Sequence, residues 1–279
     1  MTAPTRTVRV AVTETPPEDA WLLAPRPFGH WGQRMTEFAA SGATEVREIE
    51  AQNSRQHGYM MRCSEAPELA WTVEPVTDGA EDWVWDVADT RHTIADAGLQ
   101  AQAEELCCAA PDEAAALRAI LHAAREMFDY DHPEERFTDG HDSVPALCGT
   151  TKGSCVDINT FVLAAARAQG LTGQYVMGFW FGPGRTTTPD AHCWLAFRIG
   201  GAPEFWDVAH HLKWGVNGFG PALNPAGGRR IAMSCGRGLR FDTPNGTVDI
   251  SHFGEPVWVL PGGEMRPAPV RISLEEDPS

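Results

Sequence analysis

Long apolar runs are absent from this chain of 279 residues. No stretch approaches the roughly 18 uncharged apolar residues that a membrane-spanning helix needs, so none is predicted. The opening MTAPTRTVRVAVTETPPEDA holds no apolar run long enough for a secretory signal, which makes the cytoplasm the expected compartment. Positive charge is scarce: 22 Lys and Arg stand against 38 Asp and Glu, a formal net charge of -16. Such a surface repels phosphate backbones and anionic lipid, which excludes binding of nucleic acid or membrane by bulk electrostatics. Lysine is nearly missing, with Lys152 and Lys213 beside 20 arginines. The 7 cysteines include no CxxC pair, and adjacent Cys107 and Cys108 suit neither zinc nor a simple disulfide. Most are expected to be small buried residues in a reducing compartment. No internal repeat is visible, and the length suits one large domain or two small ones with a core needing no structural metal.

The residues that are present divide into four stretches. Residues 1–105 read as a β-rich N-terminal segment. VRVAVTE and TEVREIEA alternate with the period of half-buried strands, and prolines at 16, 17 and 25 punctuate them. Trp21, Trp31, Trp71, Trp83 and Trp85 are assigned to sheet packing. Residues 106–214 read as a core. Asp112 opens a helix striped by Ala116, Leu117, Ile120, Leu121 and Ala124 that ends near Phe128. A second helix begins after Ser154, carries Ile158, Phe161, Val162, Ala165 and Ala168, and stops at Gly170. Strands are expected at 173–181, 191–199 and 204–208. Residues 215–270 read as Gly-rich loop and then strands in IAMSCGRGLRF and TVDISHF, and 271–279 as a disordered acidic tail. Helix succeeded by antiparallel strands indicates the α+β class.

The second helix begins with chemistry. Ser154 and Asp157 form a Ser-x-x-Asp capping box, which places Cys155 at the first helical position. A thiol there meets the positive end of the helix dipole and its free N–H groups, which favour the thiolate and can hold an oxyanion. Lys152 is expected to reinforce this. His192 opens the strand AHCWLAFRI, where Cys193, Leu195, Phe197 and Ile199 share one face and His192 takes the other. One imidazole can serve as base for the thiol and acid for the leaving group. Asp207, between Trp206 and Val208, requires a partner, and an imidazole on the neighbouring strand provides one. Asp190, His192, Cys193, Asp207, His210 and His211 are also the residue types of a metal site. His192 and Cys193 point to opposite faces, however, so no metal is assigned, and His210 and His211 are placed facing solvent or lining a cleft.

These blocks resemble the transglutaminase-like superfamily, notably its bacterial members. KGSCVDINTFVLAAARAQGLTGQYVMGFW, AHCWLAFRI and EFWDVAHH match a Gly-x-Cys at a helix start, a His-x-Trp at a strand start and an Asp closing a Trp-containing strand. The resemblance implies a papain-like α+β core with Cys155 as nucleophile, His192 as base and acid, and Asp207 as orienting carboxylate. It implies a thioester acyl-enzyme resolved by water or an amine, hence a hydrolase (peptidase or amidase) or an acyltransferase, with no cofactor. The alternatives are a non-catalytic binding module on the same fold and a biosynthetic enzyme performing condensation or cyclisation. Trp180, Trp194, Arg185 and Trp214 are candidates to line the substrate pocket, with loops 182–190 and 215–228 beside it. The expected substrate is a small molecule or short peptide. Where the family often has Asp-Pro after its third block, Val208 stands here, and Tyr130 or a loop amide is left to complete an oxyanion hole.

Overall fold

The computed structural model describes residues 4–30, 32–77, 82–86, 88–216, 220–221, 225 and 227–276. In chain order the elements begin with β1 (Arg6–Val12), β2 (Trp21–Pro25), β3 (Arg34–Glu50) and β4 (His57–Glu74). A single 3₁₀ turn, Asp82–Trp85, precedes α1 (Ala97–Cys107), α2 (Glu113–Met127), β5 (Phe128–Tyr130), β6 (Thr151–Gly153) and α3 (Cys155–Ala168). Then come β7 (Gly173–Phe181), β8 (Thr187–Thr188), β9 (His192–Ile199), β10 (Ala202–Trp206) and α4 (Val208–Trp214). The chain closes with β11 (Arg229–Cys235), β12 (Leu239–Thr243), β13 (Gly246–Ile250), β14 (Val257–Val259), β15 (Met265–Pro267) and β16 (Val270–Glu276). None of the helices among the described residues is long and apolar enough to cross a membrane.

Two compact units result: Met1–Val87 with Met177–His192 and Gly228–Ser279, and Ala88–Val176 with Cys193–Gly227. The first is built on an 8-stranded sheet in the order β15-β14-β2-β4-β1-β16-β8, with β3 added to β4. Both faces of this sheet are covered. Leu22, Ala24, Met61 and Trp71 pack with Phe179, Ile231 and Trp258, whereas Trp21, Leu23 and Met60 pack with Phe241, Val248 and Phe253 of the β12–β13 hairpin region. Neighbours in sequence therefore serve opposite cores, as the strand period of two dictates, and β2 is buried throughout. In the second unit, α2 buries Leu117, Ile120, Leu121 and Ala124 of the stripe read from the sequence behind its Asp112 cap, while Ala116 is half-buried. The helix α3 is buried from Cys155 to Ala166, and Gly170 stands beyond its end with φ of +76°. That left-handed conformation is open to glycine at no steric cost.

Several expectations require correction. The tail does not begin at 271: β16 extends to Glu276 and pairs antiparallel with β1 over seven residues, Arg6↔Glu276 to Val12↔Val270. Only 277–279 of that stretch lie outside the described residues. Ile272 and Leu274 fill the sheet core, so the acidic ending Leu-Glu-Glu hides a strand whose alternation is only two apolar residues long. The N-terminal stretch is not wholly β, because α1 occupies Ala97–Cys107. Its inward face is carried by Leu99 and Ala103, too few and too small for periodicity to reveal. Trp21 and Trp71 pack on the sheet as expected, while Trp83 and Trp85 lie in the 3₁₀ turn and Trp31 falls outside the described residues. IAMSCGRGLRF forms two strands, broken where Gly236 and Gly238 take positive φ.

The strand assignment of β16 yields a direct expectation. Leu274, 3% exposed, should cost about 2–5 kcal/mol of unfolding free energy when replaced by alanine. Urea denaturation of L274A checks this; the roughly zero change of a solvated tail residue would contradict it.

Candidate active site

The start of α3 is fixed by three independent contacts. Ser154 is the N-cap with extended backbone, and its hydroxyl accepts the Val156 N–H. Asp157 reaches back to accept the Ser154 N–H at 2.9 Å and the Ser154 hydroxyl at 2.7 Å, which completes the capping box. Arg136 then donates to both oxygens of Asp157, at 3.2 and 3.1 Å, so this carboxylate, 2% exposed, is not left uncompensated. One residue upstream, a Cβ on Gly153 would stand 2.8 Å from the Phe128 ring and 3.0 Å from the Asp157 Cβ. The glycine of the Gly-x-Cys block is thus a packing requirement. Together these contacts put Cys155, 7% exposed, on the first residue of the helix.

Lys152 does not act on that thiol as expected. Its ammonium lies outward, bonded to Asp131 at 2.7 Å, and that contact raises its pKa and lowers that of Asp131. Within β6 it is the exposed residue and Gly153 the buried one, so the lysine side chain is directed to solvent. The cation beside the helix start is Arg136, which comes from the loop between β5 and β6 and is not singled out by any motif. Tyr130, an oxyanion alternative, bonds His132 at 3.4 Å and lies under the Lys213 ammonium, 5.3 Å from the ring centre.

Cys155 has a sulfur neighbour instead. Cys193, fully buried, is in a side-chain hydrogen bond with Cys155, with further bonds to Tyr175 and Asn159. Burial first, and Cys155 second, hold the Cys193 thiol well above its ordinary pKa, so it stays protonated at neutral pH. Asn159 Nδ2 donates to the Cys193 carbonyl at 3.1 Å and its sulfur at 3.2 Å. Sequence reasoning missed this asparagine, although its place four residues after Cys155, on the same helical face, marks it.

The third block also differs from expectation. Asp207 is not within a strand 204–208: β10 ends at Trp206, and Asp207 is the N-cap of α4. The residues ahead of the Gly-rich stretch are helix, because Asp207 offers a cap and Val208 to Trp214 contain no breaker before Gly215. Residues 217–219, 222–224 and 226 of the stretch 215–228 lie outside the described residues. Asp207 is 0% exposed; its Oδ1 accepts the His210 N–H at 3.0 Å and its Oδ2 faces His210 Nδ1 at 3.1 Å. His210 and His211 do not face solvent; each is 2% exposed on this buried helix. His192 is 8% exposed at the first position of β9.

The proposed lining residues fare unequally. Trp194 is 1% exposed and serves the core, because both faces of β9 are covered. Trp214 is 48% exposed at the end of α4, with the Lys213 ammonium 5.8 Å from its ring centre. Arg185 is exposed and Trp180 half-buried. The indole of Trp180 and the Phe181 carbonyl approach Gly228, where a Cβ would stand 2.9 and 2.3 Å from them.

Residues 100–210 match the model of the transglutaminase-like superfamily. Among solved structures, that of a candidate cysteine protease from Cytophaga hutchinsonii is similar over 99% of this chain and 99% of its own, with a TM-score of 0.56 and 12% identity. The periplasmic domain of TgpA from Pseudomonas aeruginosa, in its ethylmercury-bound structure, is similar over 76% of this chain and 91% of its own, with a TM-score of 0.37 and 15% identity. No curated protein matches the sequence.

Two substitutions separate the cationic neighbours. R136A should lower stability by about 1–3 kcal/mol in urea, because Asp157 stays buried with fewer donors. K152A should leave the rate of Cys155 alkylation by iodoacetamide within about twofold of wild type, since an exposed charge is screened. A tenfold slowing in K152A would restore Lys152 to the site.

Proposed function

We propose that this chain, whose residues 100–210 match the model of the transglutaminase-like superfamily, is a cysteine enzyme that forms a thioester on Cys155. The observation that carries the reading is Cys155 at the first position of α3, behind a complete capping box. There the positive end of the helix dipole favours both a thiolate and an oxyanion. His192 takes the thiol proton, and the sulfur attacks the carbonyl carbon of an amide or ester. The tetrahedral oxyanion collapses, His192 returns the proton to the leaving amine or alcohol, and the acyl group remains on sulfur. Water, activated by His192, then releases the acid; an amine in its place gives transfer. Asp207 holds the imidazole in the tautomer this requires. The burial of Asp207 supports that role, since a buried carboxylate is costly unless it is paired.

The substrate proposed is a small molecule or short peptide, handled in the cytoplasm. Lys152 and Lys213 are the chain's only lysines, so it presents few amine acceptors of its own. The net charge of -16 gives no attraction to acidic polymers. Arg185 and Trp214, both exposed, and Trp180 remain the proposed contacts for the substrate.

C155A and H192A are expected to reduce turnover of a small amide or ester at least about a hundredfold while keeping the fold, and D207N to leave more residual rate. Near wild-type rates in C155A would end the thiol mechanism. Casein with a labelled primary amine, run beside a panel of small amides, thioesters and dipeptides, tests the substrate class. Cys155-dependent labelling of casein alone would overturn the small-substrate reading.

A further inference from the structure

We infer that His210 is a positioning residue, which fixes the Asp207 carboxylate through both of its oxygens. The inference rests on the proposed role of Asp207. A helix cap alone accounts for one contact only: an N-cap aspartate accepts a backbone N–H from the second or third helical residue, as Oδ1 does from His210 at 3.0 Å. The second oxygen is the informative one. Oδ2 lies 3.1 Å from His210 Nδ1, so backbone and side chain of a single residue grip the two oxygens. With Asp207 at 0% exposure, no bulk water competes for them. The plane of the carboxylate is thereby set by α4 itself.

The grip is itself supported. His210 is 2% exposed, and its ring meets that of Trp214, one turn later, edge to face with centroids 6.4 Å apart. For Nδ1 to donate to Oδ2, the proton of a neutral imidazole sits on Nδ1, so the tautomer of His210 is determined by the carboxylate. Under the proposed function His210 orients Asp207, and Asp207 in turn orients the catalytic imidazole. Such an outer partner is not required for folding of the helix, since the cap survives through the backbone N–H. It is required for carboxylate geometry, and misplacement of a catalytic group by about 1 Å can cost about a hundredfold in rate.

H210A and H210N separate these roles, because the amide nitrogen of asparagine falls near the position of imidazole Nδ1 and can donate from it. The readouts are the rate of Cys155 alkylation by iodoacetamide, mapped by mass, and steady-state hydrolysis of 4-nitrophenyl acetate, with urea midpoints recorded for each variant. H210A is expected to lower kcat and the alkylation rate about 10- to 100-fold with KM within about twofold, and H210N to recover to within about threefold of wild type. Wild-type rates in H210A would overturn the inference. Equal impairment of H210A and H210N would overturn it too, leaving His210 a packing residue. A stoichiometric divalent metal in the purified protein, lost in H210A, would replace it with a ligand role. C155A is run alongside: if it hydrolyses the ester as wild type does, or if wild-type Cys155 neither alkylates nor turns over, the cysteine mechanism fails and this inference with it. If C155A is inactive, the His210 results bear on His210 alone.

Discussion

The second unit depends on how the first turn of α3 is held in place. Four N–H groups at a helix start lack intrahelical acceptors, and in a helix buried from its first residue they have little water to turn to. Ser154 and Asp157 meet that demand, and Arg136 compensates the charge that meeting it buries. Gly153 adds the steric half, since it lets the Phe128 ring close against the entry to the helix. The parallel pairing of β5 with β6, Tyr130↔Gly153, ties the same entry to the end of α2. A side chain at this point is located by backbone and cap, with no need for a flexible loop to deliver it.

The same economy governs the buried polar groups elsewhere. Asn159 sits at 0% exposure among apolar residues and bonds the carbonyl and sulfur of Cys193. In the first unit, Gln33 pairs its side-chain amide with both the N–H and the carbonyl of Ala232 on β11. Gln56 accepts from the Cys235 N–H and donates to the Arg26 and His57 carbonyls. Each of these amides satisfies backbone groups that a neighbouring strand would otherwise have to pair. Because an unmade bond to a buried group costs about 1–3 kcal/mol, these contacts specify one arrangement more than they add stability.

Amphipathic elements with large side chains were legible in the sequence. The α2 stripe, the α3 cap and stop, and β7 at 173–181 stand where periodicity and punctuation put them. Elements that lean on distant partners were not. The helix α1 buries two small residues, and β16 reads as an acidic ending until β1, more than 250 positions away, supplies its ladder. Asp207 reads as a strand residue because Phe205 and Trp206 precede it, yet its side chain caps the helix α4 on its other side.

Residue identity alone determined which groups are the candidates for chemistry: a thiol behind a Ser-x-x-Asp cap, an imidazole before a strand, a carboxylate among apolar neighbours. Local rules suffice for these, since capping and alternation act within a few residues. Tertiary structure decided their partners. It turned Lys152 outward to Asp131, brought Arg136 to the helix start, and put Cys193 against Cys155. Pairing between side chains far apart in sequence depends on where the backbone carries them and on which charges burial leaves unsatisfied. Neither quantity exists until the chain has folded.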